Sequence, residues 1–321
     1  MKTLHGSAVF LLPLILSTGC VVSGKIQPIV DPATPVDVSR LWEDPATSGE
    51  RNLLYGPGGA ELAPDPSTPF TFLQADNAGY SPGYDVKGPN GMEWSVKLGP
   101  EAQTEVAVSR ILWALGYHQP PTYYVTRWTM TGQQQGPQQG ARFRPKLTDR
   151  EVVGEWDWYA NEFLETQPFK GLVVVNVMLN NWDWKTSNNK IYDIDGDRVY
   201  VVQDLGASLG KTSYPRALSW LPMRGLGQGS RNDIEDFEEQ GFIERVDGDR
   251  VEFVYRGIHQ SLLDHLSRAD VVWAAERMAV ITDPQWDQIF QAAGYPEDQR
   301  RRYITKVKAK IAEGLKLRPE A

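Results

Sequence analysis

Segment 84–98 constrains the fold of this chain most, because it has the pattern of a β-hairpin. Asn90-Gly91 favours the positive φ angles of a tight turn between two strands. The residues on either side, 84–87 and 93–98, read as the strands that this turn joins. Another strand is predicted over residues 70–73, so this part of the chain contains a small antiparallel sheet.

A helix is predicted directly after the hairpin, over residues 101–115. Val108, Ile111 and Leu112 recur at helical spacing and form one apolar stripe, and Gly116 is a natural helix stop. Glu105 precedes Val108 by one helical turn and points along the same stripe.

More strands follow that helix. They are predicted at 122–125 and 141–144, with the Gln- and Gly-rich stretch 132–140 as a loop between them. Together with the hairpin and the helix they make up a first lobe over residues 70–150.

The remainder, residues 151–321, is predicted to form a mostly helical second lobe. The nearly all-apolar run 169–179 suits a buried helix. Asp195-Gly196 and segment 246–251 predict two further hairpins, and the chain from 261 onward has helical periodicity. The fold class is therefore α+β, with two lobes.

The first twenty residues resemble a bacterial lipoprotein signal peptide. A basic start is followed by an apolar run that is shorter than the roughly 20 residues needed to cross a bilayer. Small residues then precede Cys20, which would be lipidated and hold the protein on a membrane outside the cytoplasm. A plain secretion signal and a buried N-terminal helix are the alternatives. Residues 21–69, rich in Pro, Gly, Asp and Ser, predict a tether and an extended arm whose apolar side chains lie against the core.

Composition excludes several classes of function. The net charge of −8 disfavours nucleic acid as a partner, because binding phosphates needs a positive surface. The single cysteine excludes an internal disulfide and a cysteine-rich metal site. The four histidines are scattered, which disfavours zinc. An alternation of aspartates from Asp193 resembles a calcium loop, but Arg198 stands where that loop needs glycine, so a hairpin turn is the better interpretation.

Three polar groups stand out in a fixed order along the chain. Lys97 ends a predicted strand, and Glu105 lies on the next helix. Asp183 and Asn188 follow in a polar loop, with Lys185 between them. Asp204 opens the sequence Asp-Leu-Gly directly after a hairpin.

This order resembles the protein-kinase-like fold, in which a strand lysine pairs with a helix glutamate ahead of H-R-D-x-x-x-x-N and D-F-G. The corresponding segments here read SVKL, the helix bearing Glu105, NWDWKTSN and VQDLG. The closest resemblance is to the atypical branch, which includes HipA-like and phosphatidylinositol 3-/4-kinase-like proteins.

The resemblance implies ATP or another nucleotide as a cofactor, together with Mg²⁺ or Mn²⁺. Lys97 would hold the phosphates and Glu105 would fix Lys97. Asp204 and Asn188 would bind the metal ion. Asp183 would orient the hydroxyl group of an unknown acceptor, and Lys185 would approach the transferred phosphate.

Each of these groups also has a structural interpretation. Lys97 and Glu105 could form a salt bridge between sheet and helix, and the polar loop residues could simply form turns. Gly79 and Gly83 lie where a nucleotide-covering loop belongs, but Pro82 removes one backbone N–H from it. Arg142 and Arg144 could face an anionic ligand or line the surface of the sheet, and the second is the interpretation we favour.

Three functions are compatible with these features. The first is an active extracytoplasmic phosphotransferase, which is the function the sequence favours. The second is a kinase-like module that binds a ligand but has lost the transfer reaction. The third is a structural protein of the cell envelope, since a fold alone does not determine a function.

Overall fold

The structure, a computed structural model, describes residue 26 and residues 35–47, 51–76, 81–132, 136–213 and 228–319. The predicted α+β class is confirmed. The strands are β1 (Phe70–Asp76), β2 (Gly83–Lys87), β3 (Glu93–Lys97), β4 (Tyr123–Val125), β5 (Trp128–Thr131), β6 (Gly136–Gln138), β7 (Ala141–Pro145), β8 (Arg150–Gly154), β9 (Asn189–Ile194), β10 (Asp197–Val202), β11 (Thr212–Ser213), β12 (Gln228–Gly229), β13 (Ile243–Asp247) and β14 (Arg250–Phe253). The α-helices are α1 (Glu101–Ala114), α2 (Gln167–Met178), α3 (Ile234–Glu239), α4 (Gln260–Leu263), α5 (Arg268–Ala279), α6 (Asp283–Ala292) and α7 (Glu297–Leu315).

The first lobe is a curled sheet with the strand order β4-β7-β3-β2-β1-β5-β6. Its pairs are antiparallel except β1 with β5. One face of the sheet encloses a small core of its own, in which the rings of Phe70 and Phe143 lie 5.1 Å apart and both contact Trp128. Because side chains alternate between the two faces of a strand, the other face is available for a site.

Helix α1 connects the two lobes. Val108, Ile111 and Leu112, the predicted apolar stripe, are buried in the large core shared with the second lobe. The chain leaves the helix through Gly116 at φ +105°, where a Cβ atom would lie 2.1 Å from the carbonyl oxygen of Glu43. Only glycine fits this position, because the conformation and the close approach both exclude a side chain.

The second lobe surrounds α2, whose apolar residues are almost all buried. Helix α5 packs beside α2, and α7 packs against α5. Strands β9 and β10 form the predicted hairpin around Asp195 and Gly196, which both have positive φ as a two-residue turn requires. Strand β8 follows the connection from the first lobe and pairs with β9 of that hairpin.

Segment 35–69 lies along the core where the structure describes it. Two short 3₁₀ turns, at Val38–Arg40 and Gly56–Gly58, interrupt it. Leu41 and Leu53 are buried in the large core, whereas Leu54 is exposed. The boundary at residue 69 and the lobe limits stay predictions.

Part of the predicted loop at 132–140 is a strand. β6 pairs with β5, and the indole of Trp128 donates a hydrogen bond to the carbonyl oxygen of Gln139 at 2.9 Å. Pro137 is tolerated because β6 is the edge of the sheet, where a strand needs no further N–H donors. None of the helices in the described ranges is long and apolar enough to span a membrane.

Candidate functional site

Lys97 and Glu105 meet where the sheet of the first lobe faces α1. Lys97 ends β3, and it lies opposite Gly83 on one side and Arg142 on the other. Its ammonium group, Nζ, lies 3.0 Å from Oε2 of Glu105. The structure therefore brings together the first pair of residues in the sequence pattern.

Glu105 is fully enclosed and contacts three cations. Oε1 lies 3.2 Å from Nε of Arg142 and 2.5 Å from Nη2 of Arg144, while Oε2 faces Lys97. Burial by itself would raise the pKa of the Glu105 carboxyl, but these cations outweigh it and hold the pKa well below its usual range. Glu105 is thus a permanent anion that orients the positive groups around it.

The favoured interpretation of Arg142 and Arg144, as residues lining the surface of the sheet, is wrong. Both side chains point toward Glu105, and Arg142 is buried. Arg142 also donates to the carbonyl oxygen of Ser95 at 3.0 Å, and Arg144 donates to Oε1 of Gln203 at 2.9 Å. The reason is the strand order: β7 pairs beside β3, which places both arginines on the face that carries Lys97.

Asp204 reaches the same point from the second lobe. The hairpin pairs Asn189 with Val202, so the chain enters and leaves the hairpin at one place. Asp204 then adopts a left-handed backbone conformation, with φ 55°. Its Oδ1 forms an ion pair with Nζ of Lys97, and its side chain is 46% exposed. This ion pair links the two lobes directly.

The polar loop places Asp183 and Asn188 next to Asp204. The carbonyl oxygen of Asn188 accepts a hydrogen bond from the backbone N–H of Gln203, the residue before Asp204. Nδ2 of Asn188 donates to the carbonyl oxygen of Asp183 at 2.8 Å. These bonds hold the two ends of the loop together.

The Asp183 carboxyl is half-buried and faces Lys185. The ammonium group of Lys185 lies 2.8 Å from Oδ1 of Asp183. Burial raises the pKa of Asp183 above its usual range, and the negative charge of Asp204 acts in the same direction, while Lys185 and Arg231 oppose it. A carboxyl group with a raised pKa in a cleft has the character of a group that handles protons.

Buried polar contacts support this loop from below. Asn181 donates to Oδ1 of Asn176 at 2.8 Å, and its carbonyl oxygen accepts from the hydroxyl of Tyr255 at 2.7 Å. The Trp184 indole donates to that hydroxyl at 2.6 Å, and Nε2 of His259 lies 3.0 Å from the Trp184 carbonyl oxygen. Burial lowers the pKa of His259 to about 4, so the ring is neutral at pH 7.

Sequence reasoning missed three residues that the structure adds to the site. Glu101 Oε2 lies 3.7 Å from Nζ of Lys97 and accepts from the hydroxyl of Ser81 at 2.8 Å. Arg231 pairs with the other oxygen of Glu101, and its guanidinium carbon lies 4.6 Å from the Trp182 ring centroid. The spacing of Lys97 and Glu101 was the available signal for Glu101. Ser81 lies within the predicted nucleotide-covering loop between Gly79 and Gly83, whereas nothing local marks Arg231.

Of the two glycines predicted to cover a nucleotide, the structure describes Gly83. Gly79 lies outside the described residues, as does Cys20. Gly83 lies opposite Lys97, and a Cβ atom there would come within 2.6 Å of the Val96 carbonyl oxygen. Close packing of two strands thus accounts for the glycine at this position.

The donor set around Asp204 fits a magnesium ion that a ligand helps to hold. Asp204 Oδ2 and Asn188 Oδ1 accept no hydrogen bond from the described residues, so both oxygens are available. No cluster of three or more His, Cys, Asp or Glu side chains suited to a metal ion occurs in the described ranges. Magnesium commonly takes one or two protein oxygens together with phosphate oxygens and water, which agrees with this set.

The sheet, helix α1, the second lobe and the residues between them form the two-lobed α+β arrangement that the sequence predicts. A comparison with solved structures finds similarity to the proinflammatory kinase CtkA of Helicobacter pylori. The similarity covers 78% of this chain and 95% of that chain, with 13% sequence identity and a TM-score of 0.47. No family model and no curated protein matches the chain.

Proposed function

We propose that this protein transfers a phosphoryl group from a nucleoside triphosphate to a hydroxyl acceptor, in the cleft between its two lobes. The observation that carries the proposal is the position of the Lys97 ammonium group between Glu105 and Asp204. Three separate elements of two lobes supply these groups. Phosphoryl transfer needs little besides positioning and neutralisation of charge, which is what such a cluster provides.

In this proposal Lys97 binds the α- and β-phosphates and Glu105 keeps Lys97 extended into the cleft. Asp204 and Asn188 hold Mg²⁺ or Mn²⁺, which neutralises charge on the phosphates when bound. Lys97 would then exchange its contact with Asp204 for the phosphates, while Oδ2 of Asp204 is available to the metal ion. The half-exposed carboxylate of Asp204 makes that exchange feasible.

Asp183 accepts a hydrogen bond from the acceptor hydroxyl and takes up its proton in this proposal. The raised pKa of Asp183 favours this role, because a stronger base accepts a proton more readily. Lys185, which contacts the same carboxylate, lies where it can approach the transferred phosphate. Protein, lipid, sugar and small-molecule hydroxyls all suit this chemistry.

The test is thermal stability in the presence of ATP with Mg²⁺ or Mn²⁺, followed by an assay of nucleotide turnover. A ligand that binds only the folded protein raises its melting temperature. We expect a metal-dependent rise that Asp204→Asn removes, and turnover that Asp183→Asn removes while binding persists. Asp197→Asn, at the exposed first residue of β10, is the matched control and should change neither. Absence of any rise with ATP and other nucleoside triphosphates would contradict the proposal.

A ligand-binding module without transfer activity is the second candidate. Two observations favour it: Pro82 offers no N–H to a phosphate, and the described part of the cleft already pairs Lys97 with Asp204. Nucleotide-dependent stabilisation without turnover would identify this function. A purely structural envelope protein would show neither.

We also propose that lipidation of Cys20 holds the protein at a membrane outside the cytoplasm. Cys20 is the single cysteine and follows an apolar run and small residues. Cys20→Ser should leave the protein soluble or unprocessed in cell fractionation. Unchanged partitioning into the membrane fraction would contradict the anchor and leave the proposed chemistry untouched.

A further inference from the structure

The face of the sheet that carries Lys97 is polar well beyond the phosphate site. Asp85 pairs with Ser95, and Ser95 pairs with Arg144, so these three residues form one row across β2, β3 and β7. The row lies two residues along β3 from Lys97 and therefore shares its face. Arg144 also contacts Gln203 of the second lobe, which shows that the face lines the cleft.

Asp85 is the unusual member of this row. Its side chain is only 10% exposed, and its Oδ2 lies 2.6 Å from the ammonium group of Lys146 and accepts from Nε2 of Gln74 at 2.5 Å. Oδ1 accepts no hydrogen bond from any described residue. Oδ1 is accessible from solvent, so a ligand in the cleft can supply the hydrogen-bond donors that the protein does not.

Lys146 fixes where this carboxylate lies. It directly follows β7, and its backbone N–H donates to the carbonyl oxygen of Glu93 at 2.8 Å. Four residues later the chain enters β8, which pairs with the second lobe. Lys146 thus places the Asp85 end of the row near the connection between the lobes, two residues along the strands from Lys97.

We infer that Asp85 and Lys146 bind the base of the donor nucleotide and select guanine. The inference rests on the proposed function, because it assumes that the phosphates lie at Lys97. Guanine presents two neighbouring donors, N1–H and the 2-amino group, beside one acceptor, O6. Oδ1 of Asp85 can accept hydrogen bonds from both of these donors. The side chain of Lys146 is 43% exposed, and its ammonium group has N–H donors left to bind O6.

Adenine is a poorer partner for the same pair. It offers one amino group, next to the bare ring nitrogen N1, and that lone pair would face the lone pairs of the Asp85 carboxylate. Hypoxanthine keeps N1–H and O6 but lacks the 2-amino group, so inosine triphosphate tests the contact of the 2-amino group by itself. Each charge-assisted hydrogen bond lost should weaken binding about tenfold or more.

The experiment measures dissociation constants of the full chain for GTP, ITP and ATP, each with Mg²⁺. We expect GTP to bind tightest, ITP about tenfold more weakly and ATP weakest. Binding of ATP as tight as that of GTP would overturn the inference and leave the proposed function standing. If none of the three binds, the proposed function fails and the inference fails with it.

Two variants separate base recognition from a merely structural ion pair. Asp85→Asn replaces an acceptor by an amide that can also donate, so we expect it to lose GTP and gain xanthosine triphosphate, whose 2-oxo group accepts. Lys146→Met should weaken GTP about tenfold, while Lys87→Met, at an exposed lysine that ends β2, should not. An unchanged order of affinities in Asp85→Asn, in protein that folds normally, would rule out recognition by Asp85.

Discussion

Gly206 lies against Glu101 so closely that a Cβ atom on it would come within 2.5 Å of the Glu101 Cβ. Gly206 follows Asp204 by two residues, and Glu101 begins α1. The contact therefore sets how near the Asp204 segment comes to the helix that carries Glu105. Glycine at this position is needed for the geometry of the cleft.

Gly206→Ala should push the Asp204 segment away from α1. The neighbouring atoms belong to the root of a helical side chain, so they cannot swing aside, and the cost should be about 1–3 kcal/mol in unfolding free energy. Nucleotide binding should weaken as well, because Asp204 and Lys97 no longer face each other correctly. Chemical denaturation and a binding titration measure the two effects.

Gly154→Ala is the matched control for that variant. A Cβ atom there would meet its nearest neighbour, the Cδ1 atom of Ile191, at 3.8 Å, which is an ordinary contact. Its stability and nucleotide affinity should stay close to those of the parent protein. Equal behaviour of the two variants would show that the close approach of Gly206 to α1 does not matter.

Glu105→Gln should be strongly destabilising. The change leaves Lys97, Arg142 and Arg144 around a neutral amide inside the protein, and removing one partner from a buried ion cluster costs about 3–5 kcal/mol. Glu93→Gln removes one exposed carboxylate, 4.0 Å from Lys87, and should cost about 1 kcal/mol or less. Urea denaturation of both variants tests the difference, and similar losses would contradict the central position of Glu105.

Local signals in the sequence located much of this site. Asn90-Gly91 predicts the hairpin that ends at Lys97, and the helical stripe beside Val108 turns Glu105 inward. The order of the remaining polar groups then follows from the resemblance. Each of these signals acts over a few residues, through turn geometry or helical periodicity.

The partners of Glu105 could not be found in that way. Arg142 reaches Glu105 because β7 pairs with β3, and β4, which precedes β7 in the chain, lies at the far edge. Strand order is decided by long-range packing and leaves no local trace. The same holds for Asp85 and Lys146, which meet across two strands, and for Arg231, which arrives from beyond residue 227.

His259 should make stability depend on pH. Burial lowers the pKa of this histidine from 6.5 to about 4. At a pH between these values the histidine is protonated in the unfolded chain and neutral in the folded chain. The contribution of neutral His259 to the free energy of unfolding is complete above pH 6.5. The free energy of unfolding then falls by up to about 3 kcal/mol as the pH decreases toward 4. Denaturation curves measured between pH 4 and 7 would show this decrease.

His259→Asn should flatten that decrease, because asparagine does not titrate. Asparagine also tolerates the left-handed backbone conformation of this residue, φ 60°, so the comparison concerns the slope against pH and not folding itself. His265→Gln, at an exposed histidine, is the control and should keep the slope of the parent protein. An equal slope in His259→Asn would show that His259 is not the group responsible.

Lys185→Met should shift the acid limb of the pH–rate profile to higher pH. Lys185 contacts both oxygens of Asp183, and its positive charge favours the ionised carboxylate. Burial already raises the pKa of Asp183, and the charge of Lys185 opposes that effect. Without that charge the pKa rises further, so a higher pH is needed to ionise the carboxyl group. Lys190→Met removes a lysine of β9 that pairs with Glu155, the residue directly after β8, and should leave the limb in place. A lower rate in Lys185→Met with an unmoved limb would mean that Lys185 acts on the phosphate and that Asp183 does not limit the reaction at low pH.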